Sequence, residues 1–374
     1  MRVALLTYST RPRGGVVHTL APAEALVRAG TEVDVWTLGR GGDETFFRVV
    51  DPRVGVHAVP FETRVDEAVG ERIVRSIEVL GAAFASARHE YDVVHSQDCI
   101  SANAAMPCVR TIHHLDDFTT PQLRACHERA VVAPVARVCV SAAVADEVRA
   151  GWGLEPTVIP NGVDAARFAA AAAPDVTGAR AAREEWRRRV GAPYVLALGG
   201  IEPRKGTLDL VEAFALLRRD HPDLALVLAG GETLFDYRDY RARVDTVVAE
   251  RGLNPVEVGV VPDDDLPALV AGASAMAFVS TKEGFGLAAM ESLAAGVPVV
   301  ARDLPVLREV YGGTVAYAAS PTSIARALAA VLAEPPDPEP GRALAFSFTW
   351  EAAARAHLEF YRSLPSSPVV GRRP

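Results

Sequence analysis

The residue types with chemistry to offer gather in a few short stretches, and the first is 280–300, "STKEGFGLAAMESLAAGVPVV". Glu283 and Glu291 lie eight positions apart within it, divided by Gly284 and Gly286. The preceding run, "ASAMAFVS", reads as an apolar strand, and the segment beginning near Phe285 reads as a helix. Glycines let such a turn bend sharply and let a ligand approach the backbone without a Cβ in the way. The unpaired N–H groups and the dipole of a helix start attract an anion. Carboxylates beside an anion site need a different partner, and neutral hydroxyls are suitable donors. The combination predicts a ligand with both phosphate and polyol parts. For either glutamate alone, an ordinary strand–turn–helix is the better account.

A second stretch, "EPRKG", places Arg204 and Lys205 between a strand ending in Gly199-Gly200 and a helix. Two cations beside a helix start make a diphosphate clamp. A single charge pair at about 4 Å is worth roughly 4 kcal/mol at an effective dielectric of 20. Further candidates come from the first half. His113 ends the strand Val109–Ile112, and the carboxyl ends of parallel strands face the ligand crevice. His114, His95 and His18 are weaker candidates, and Gly14-Gly15 sits in the first strand-to-helix loop. Asp263 and Asp265 form a D-x-D before "LPALV", which reads as helix capping and not as a metal site. The sequence has no G-x-S-x-G, H-E-x-x-H or P-loop pattern, and Gly199-Gly200 lacks a dinucleotide fingerprint's third glycine.

The elements that must position these groups follow an α/β rhythm. Arg2 to Tyr8 reads as a buried strand, Val16 to Ala29 as a helix capped by Gly30, and "TEVDVWTLG" as the next strand. This βαβ opening predicts a parallel, doubly wound sheet. A helical pattern covers Val65 to Ala87, and Ser141 can cap a later helix. The 374 residues suit two domains, with the first ending near Asp164. The segment from Ala165 to Arg189 reads as an alanine-rich then charge-rich connection. Its Arg187, Arg188 and Arg189 fit an exposed helix face better than a membrane surface, because Glu184 and Glu185 adjoin them. "FSFTWEAAARAHLEFYRSL" is helical in pattern, and "PSSPVVGRRP" reads as a loose tail.

Composition narrows the class. Hydrophobic residues make up 49% and charged residues 23%, as in a soluble globular protein. A net charge of −8 argues against general nucleic-acid binding. The four cysteines, Cys99, Cys108, Cys126 and Cys139, lack zinc or disulfide-scaffold spacing, which fits reduced thiols in the cytoplasm. The opening "MRVALLTYSTRPRGG" is too short an apolar run for a signal peptide, and no run is long enough to span a membrane.

The motifs, taken in order, resemble those of the retaining glycosyltransferases of family 4 (glycosyl transferases group 1), whose E-x7-E element matches Glu283 to Glu291. That resemblance implies the GT-B fold: two Rossmann-like, doubly wound parallel-sheet domains facing a central cleft. Residues 1–164 would form the acceptor-side domain, joined by a crossover helix at about 349–364. Residues 190–345 would bind the nucleotide sugar. It further implies that Glu291 takes the ribose hydroxyls and Glu283 the hydroxyls of the transferred sugar. Arg204 and Lys205 would hold the diphosphate, assisted by Gly15, Gly284 and the backbone of Phe285, Gly286 and Leu287. His113 would reach the reacting sugar. The family often has a proline before the serine that precedes the glutamate turn, where Val279 stands here.

The expected activity is transfer of a sugar, with retention, from a nucleotide-diphosphate sugar (UDP- or GDP-linked) to an acceptor hydroxyl. No other cofactor and no metal are expected. The acceptor, whether small molecule, glycan or lipid, is not named by the residues, and peripheral membrane contact is disfavoured by the acidic charge. A GT-B nucleotide-sugar epimerase and a non-catalytic nucleotide-sugar-binding protein remain alternatives.

Overall fold

The computed structural model describes residues 1–64, 67–116, 118, 120–174, 178–231 and 237–365. The chain divides into two units: Met1–Gly162 with the segment from Trp350 onward, and Val163–Thr349.

In the first unit, seven strands form one sheet: β1 (Arg2–Leu6), β2 (Glu32–Arg40), β3 (Gly55–Phe61), β4 (Val93–Ser96), β5 (Val109–Ile112), β6 (Ala136–Cys139) and β7 (Thr157–Val158). Their order is β3-β2-β1-β4-β5-β6-β7, and every neighbouring pair is parallel. The reversal of direction at β1 and β4 is the switch point at which such sheets open a crevice. Central strands such as β1, "RVALL", are buried on both faces, which is why they read as continuous apolar runs. The connecting helices are α1 (Gly14–Arg28), α2 (Val69–Ala85), α3 (Cys99–Ala104), α4 (Pro121–Val132) and α5 (Ala142–Trp152). Ser141 caps α5 by accepting from the N–H of Val144, as expected. Helix α1 starts two residues earlier than the periodicity suggests, and Gly30, at φ 84°, follows its end. Helix α2 is shorter than the Val65–Ala87 pattern, and Val65 itself lies outside the described residues.

The second unit contains α6 (Ala165–Ala172), α7 (Ala179–Val190), β8 (Tyr194–Leu198), α8 (Thr207–Leu217), β9 (Ala225–Ala229), α9 (Arg238–Glu250), β10 (Val256–Gly259) and α10 (Leu266–Gly272). It continues with β11 (Ala275–Phe278), α11 (Leu287–Ala294), β12 (Val299–Arg302), α12 (Pro305–Tyr311), β13 (Ala316–Ala318), α13 (Pro321–Ala333) and α14 (Glu339–Ser347). Its six strands run β10-β9-β8-β11-β12-β13, again all parallel. The stretch read as a connection, 165–189, instead supplies α6 and α7, which pack on α10 inside this unit. The burial of Phe168 and Trp186 explains the difference, since each anchors an otherwise alanine- or charge-rich helix. On the outward face of α7, Arg188 and Arg189 pair with Glu185, and Arg180 pairs with Glu184.

Helix α15 (Trp350–Ser363) returns to the first unit and packs against α1 there. The helical pattern of 346–364 is broken at Phe348 and Thr349, which separate α14 from α15. Of the tail expected beyond, 366–374 lies outside the described residues.

The core of the second unit joins α8 and α13 over the sheet through Leu210, Phe214, Ile324 and Leu328. Leu328 is fully buried, so Leu328→Ala is expected to destabilise that unit by about 2–5 kcal/mol, read as an earlier transition in urea unfolding.

Candidate active site

In the second unit, Arg204 and Lys205 form a single 3-10 turn, Pro203–Lys205, between β8 and α8. Gly206 then takes φ 67°, and a Cβ there would lie 2.4 Å from the Val279 carbonyl oxygen. Only glycine allows this loop to lie so close to the end of β11. The two segments are stitched by the N–H of Thr281, which donates to the Arg204 carbonyl at 2.7 Å. The loop therefore delivers both cations to the turn after β11. There Glu283 Oε1 accepts from Lys205 Nζ at 2.7 Å and from Arg204 Nη1 at 3.2 Å. The Lys205 stem runs along Gly199, whose missing side chain leaves room for it.

The resemblance assigns Glu283 to a sugar hydroxyl, and in the structure its carboxylate pairs with both phosphate-clamp candidates. Spacing in the sequence could not reveal this, because 78 residues separate Lys205 from its partner. The helix also begins later than Phe285: α11 starts at Leu287, with Gly286 as its N-cap at φ 92°. Phe285 is buried, and the Tyr311 hydroxyl donates to the carbonyls of Phe285 and Gly286 at 2.9 and 2.6 Å. The turn is thus held from behind, in the absence of any side-chain cap.

Glu291 projects from α11 into a charged group that the sequence did not advertise. Burial pushes its carboxyl up to about 7; Arg167 pulls it down, while Asp263 and Asp164 push it further up. Asp263, expected to cap α10, instead pairs with Arg167 at 2.8 Å, and Asp265 occupies the N-cap position without a side-chain bond. Arg167, which no motif in the sequence marks, lies in the first turn of α6. Arg302 was also missed. Nine-tenths buried, it donates to Val279 and Ala319 carbonyls at 2.9 Å and to Asp209 at 2.6 Å, tying together the strand ends behind the Arg204 loop. Its only signal was an arginine ending the apolar strand "VVAR".

In the first unit, Gly15 and His113 adjoin, with a Gly15 Cβ falling 3.9 Å from His113 Cδ2. Burial, then Arg110, His114 and His95, holds the His113 imidazole well below its ordinary range, so it is neutral. Its Nε2 is buried without a hydrogen-bond partner among the described residues. His18 packs edge-on against His113 at 4.5 Å between ring centres. His95 is engaged structurally, bonding Tyr361 and Thr111 at 2.7 Å each, and His114 bonds Asp116 at 2.9 Å. No helix among the described residues is long and apolar enough to cross a membrane.

Two parallel-sheet units with these strand orders define the GT-B fold of glycosyltransferases. Anabaena HepE in complex with UDP and glucose shares it at TM-score 0.76 and 20% identity, covering 97% of this chain and 100% of that one. Sucrose-phosphate synthase from Thermosynechococcus elongatus does so at 0.76 and 21%, covering 97% and 98%. Residues 12–167 match the family described as Glycosyltransferase Family 4, and 179–342 match Glycosyl transferases group 1. A D-inositol 3-phosphate glycosyltransferase of Salinispora arenicola is 30% identical over 96% of this chain and 91% of its own. The glycogen synthase of Mycobacterium tuberculosis is 30% identical over 72% and 68%. The chain belongs to the group 1, family 4 glycosyltransferases, and its activity is sugar transfer.

Three outcomes follow from this geometry. Glu283→Gln removes one neutralising carboxylate from Lys205 and Arg204, with Glu202 still 3.8 Å from Arg204, so inorganic diphosphate should bind about tenfold more tightly by calorimetry. Glu291 is a carboxylate above about 7 and neutral below it. Binding that uses both carboxylate oxygens should therefore weaken about tenfold per pH unit below 7, with the slope absent in Glu291→Gln. Its folded pKa lies above the unfolded value of 4.5, so its contribution to stability falls as pH rises from there through about 7. Glu291→Gln should accordingly raise the melting temperature at pH 8, by roughly 2–4 °C for each kcal/mol recovered.

Proposed function

We propose that the protein transfers a sugar, with retention of configuration, from a nucleotide-diphosphate sugar to an acceptor hydroxyl. The observation that carries this reading is the convergence of Arg204, Lys205 and Glu283 on one point beside the start of α11. Two cations fixed side by side match a diphosphate, and charge building on the leaving group gives them more to stabilise in the transition state than in the ground state. Glu291 is assigned to the paired hydroxyls of the ribose, and Glu283 to the transferred sugar once phosphate has replaced it on the cations. Backbone N–H groups of Gly284, Phe285, Gly286 and Leu287 are assigned to the phosphates.

The bond from the anomeric carbon to the phosphate oxygen breaks, and the acceptor oxygen bonds to that carbon on the same face. The acceptor proton passes to the departing diphosphate, so no carboxylate nucleophile is required. His113, neutral and with Nε2 unengaged, is assigned a hydrogen bond to a hydroxyl of the reacting sugar. The Gly14-Gly15 turn beside it is assigned to phosphate. The relatives support a nucleotide sugar as donor: HepE was solved with UDP and glucose, and also with UDP-glucose. Their named acceptors differ, from an inositol phosphate to glycogen, so the acceptor is a separate question.

The test is a thermal-shift screen with UDP, GDP and ADP and their glucose or mannose conjugates. One nucleotide is expected to stabilise the wild type, with the shift lost in Glu291→Ala and in Lys205→Ala. A folded protein that responds to none of them would refute the donor site.

A further inference from the structure

Tyr311 ends α12 in the stretch "LREVYGG", where nothing in the sequence gives its hydroxyl a task. The side chain is buried, at 1% exposure, and its oxygen lies within bonding distance of two successive carbonyls, Phe285 at 2.9 Å and Gly286 at 2.6 Å. A hydroxyl carries one proton, so the two carbonyls share it and are drawn to a single point. Burial, then Glu283, Tyr317 and Glu291, raise the ionisation of Tyr311 well above the ordinary tyrosine range, so it stays a donor. The residue is fixed from its own side as well. Its carbonyl accepts from the Thr314 N–H at 3.0 Å and from Thr314 Oγ1 at 2.8 Å. The Tyr317 hydroxyl donates to the carbonyls of Leu307 and Gly312 at 2.9 and 2.8 Å, which fastens the end of α12.

A pinned carbonyl also aims the N–H that follows it. In a planar trans peptide the C=O of one residue and the N–H of the next point in opposite directions. Drawing the Phe285 carbonyl onto Tyr311 therefore turns the Gly286 N–H away from the tyrosine. Drawing the Gly286 carbonyl there does the same to the Leu287 N–H. Both N–H groups belong to the start of α11, and neither has a hydrogen-bond acceptor among the described residues. Gly286 and Tyr311 are matched to each other. The glycine takes φ 92°, and a Cβ on it would fall 2.2 Å from the Tyr311 oxygen and 2.9 Å from Phe278 Cε1. The hydroxyl thus occupies the space that a side chain would need. The Gly286 carbonyl also accepts the Ala289 N–H at 3.1 Å, so the tyrosine and the first helical bond hold one peptide plane between them.

We propose that Tyr311 is a positioning residue for the transfer reaction: through the Phe285 and Gly286 carbonyls it aims the Gly286 and Leu287 N–H groups at the phosphates of the nucleotide-sugar donor. This rests on the transfer reading above and adds to it a residue that acts through the backbone. N–H dipoles fixed before the substrate arrives need no reorganisation as charge builds on the departing diphosphate. Without the hydroxyl, the Phe285 carbonyl has no donor among the described residues, and its peptide plane is free to rotate.

Inorganic diphosphate is titrated calorimetrically into the full chain as wild type, Tyr311→Phe, Tyr317→Phe and Lys205→Ala, and the melting temperature of each is recorded. Tyr311→Phe keeps the ring and removes only the hydroxyl. Tyr317→Phe removes a hydroxyl that also holds two carbonyls at the end of the same helix, but none in the α11 turn. Diphosphate affinity should fall about tenfold in Tyr311→Phe and keep its wild-type value in Tyr317→Phe, although both variants melt earlier. Amide resonances give the spectroscopic signature: diphosphate should shift the Gly286 and Leu287 N–H signals in the wild type and far less in Tyr311→Phe. Unchanged affinity in Tyr311→Phe, with Lys205→Ala weakened, overturns the role of Tyr311 and leaves the donor site standing. Full shifts of both amide signals in Tyr311→Phe would do the same. An equal loss of affinity in the two tyrosine variants makes Tyr311 a packing residue and also overturns the proposal. A wild type that binds no diphosphate fells the phosphate site of the transfer reading, and the role of Tyr311 with it.

Discussion

A carboxylate oxygen shared between Lys205 and Arg204 sets the geometry of the second unit's site. Like charges on adjacent residues would swing apart in water, and the shared acceptor keeps them pointed together. The arrangement is possible because Gly206 lets the loop lie against the end of β11 and because Arg302 braces the strands behind it. Each polar group in this assembly is partly removed from solvent, so the contacts are stronger than those of surface pairs and harder to replace one at a time.

The two units solve opposite electrostatic problems with the same fold. In the first, His18, His95, His113 and His357 are buried close enough to influence one another, and burial keeps them uncharged. Their rings serve as packing and hydrogen-bonding groups, with α15 contributing His357 and Tyr361 to that core. In the second, a carboxylate is buried where its ionised form is disfavoured. Ionised, Glu291 opposes stability, because burial disfavours its charged form.

Most strands and helices were legible because parallel sheets buried on both faces write themselves as apolar runs separated by helical periodicity. β5 and the Ser141 cap match the reading residue for residue. The misjudged places share one cause. Ala165–Arg189 looks like a connector by composition, yet one buried aromatic in each helix, Phe168 and Trp186, decides its packing. The helix after Glu283 starts at Leu287, because Tyr311, a distant residue, holds the carbonyls before it.

The sequence by itself determined the fold class and the family and nominated candidate site residues, because those depend on local periodicity, turn chemistry and motif spacing. Tertiary structure alone decided their partners. That Glu283 answers Arg204 and Lys205, and that Arg167 and Asp263 surround Glu291, are contacts between distant segments. Charge and desolvation act through space, and a chain's linear order carries no record of which side chains folding will bring within a few ångströms of one another.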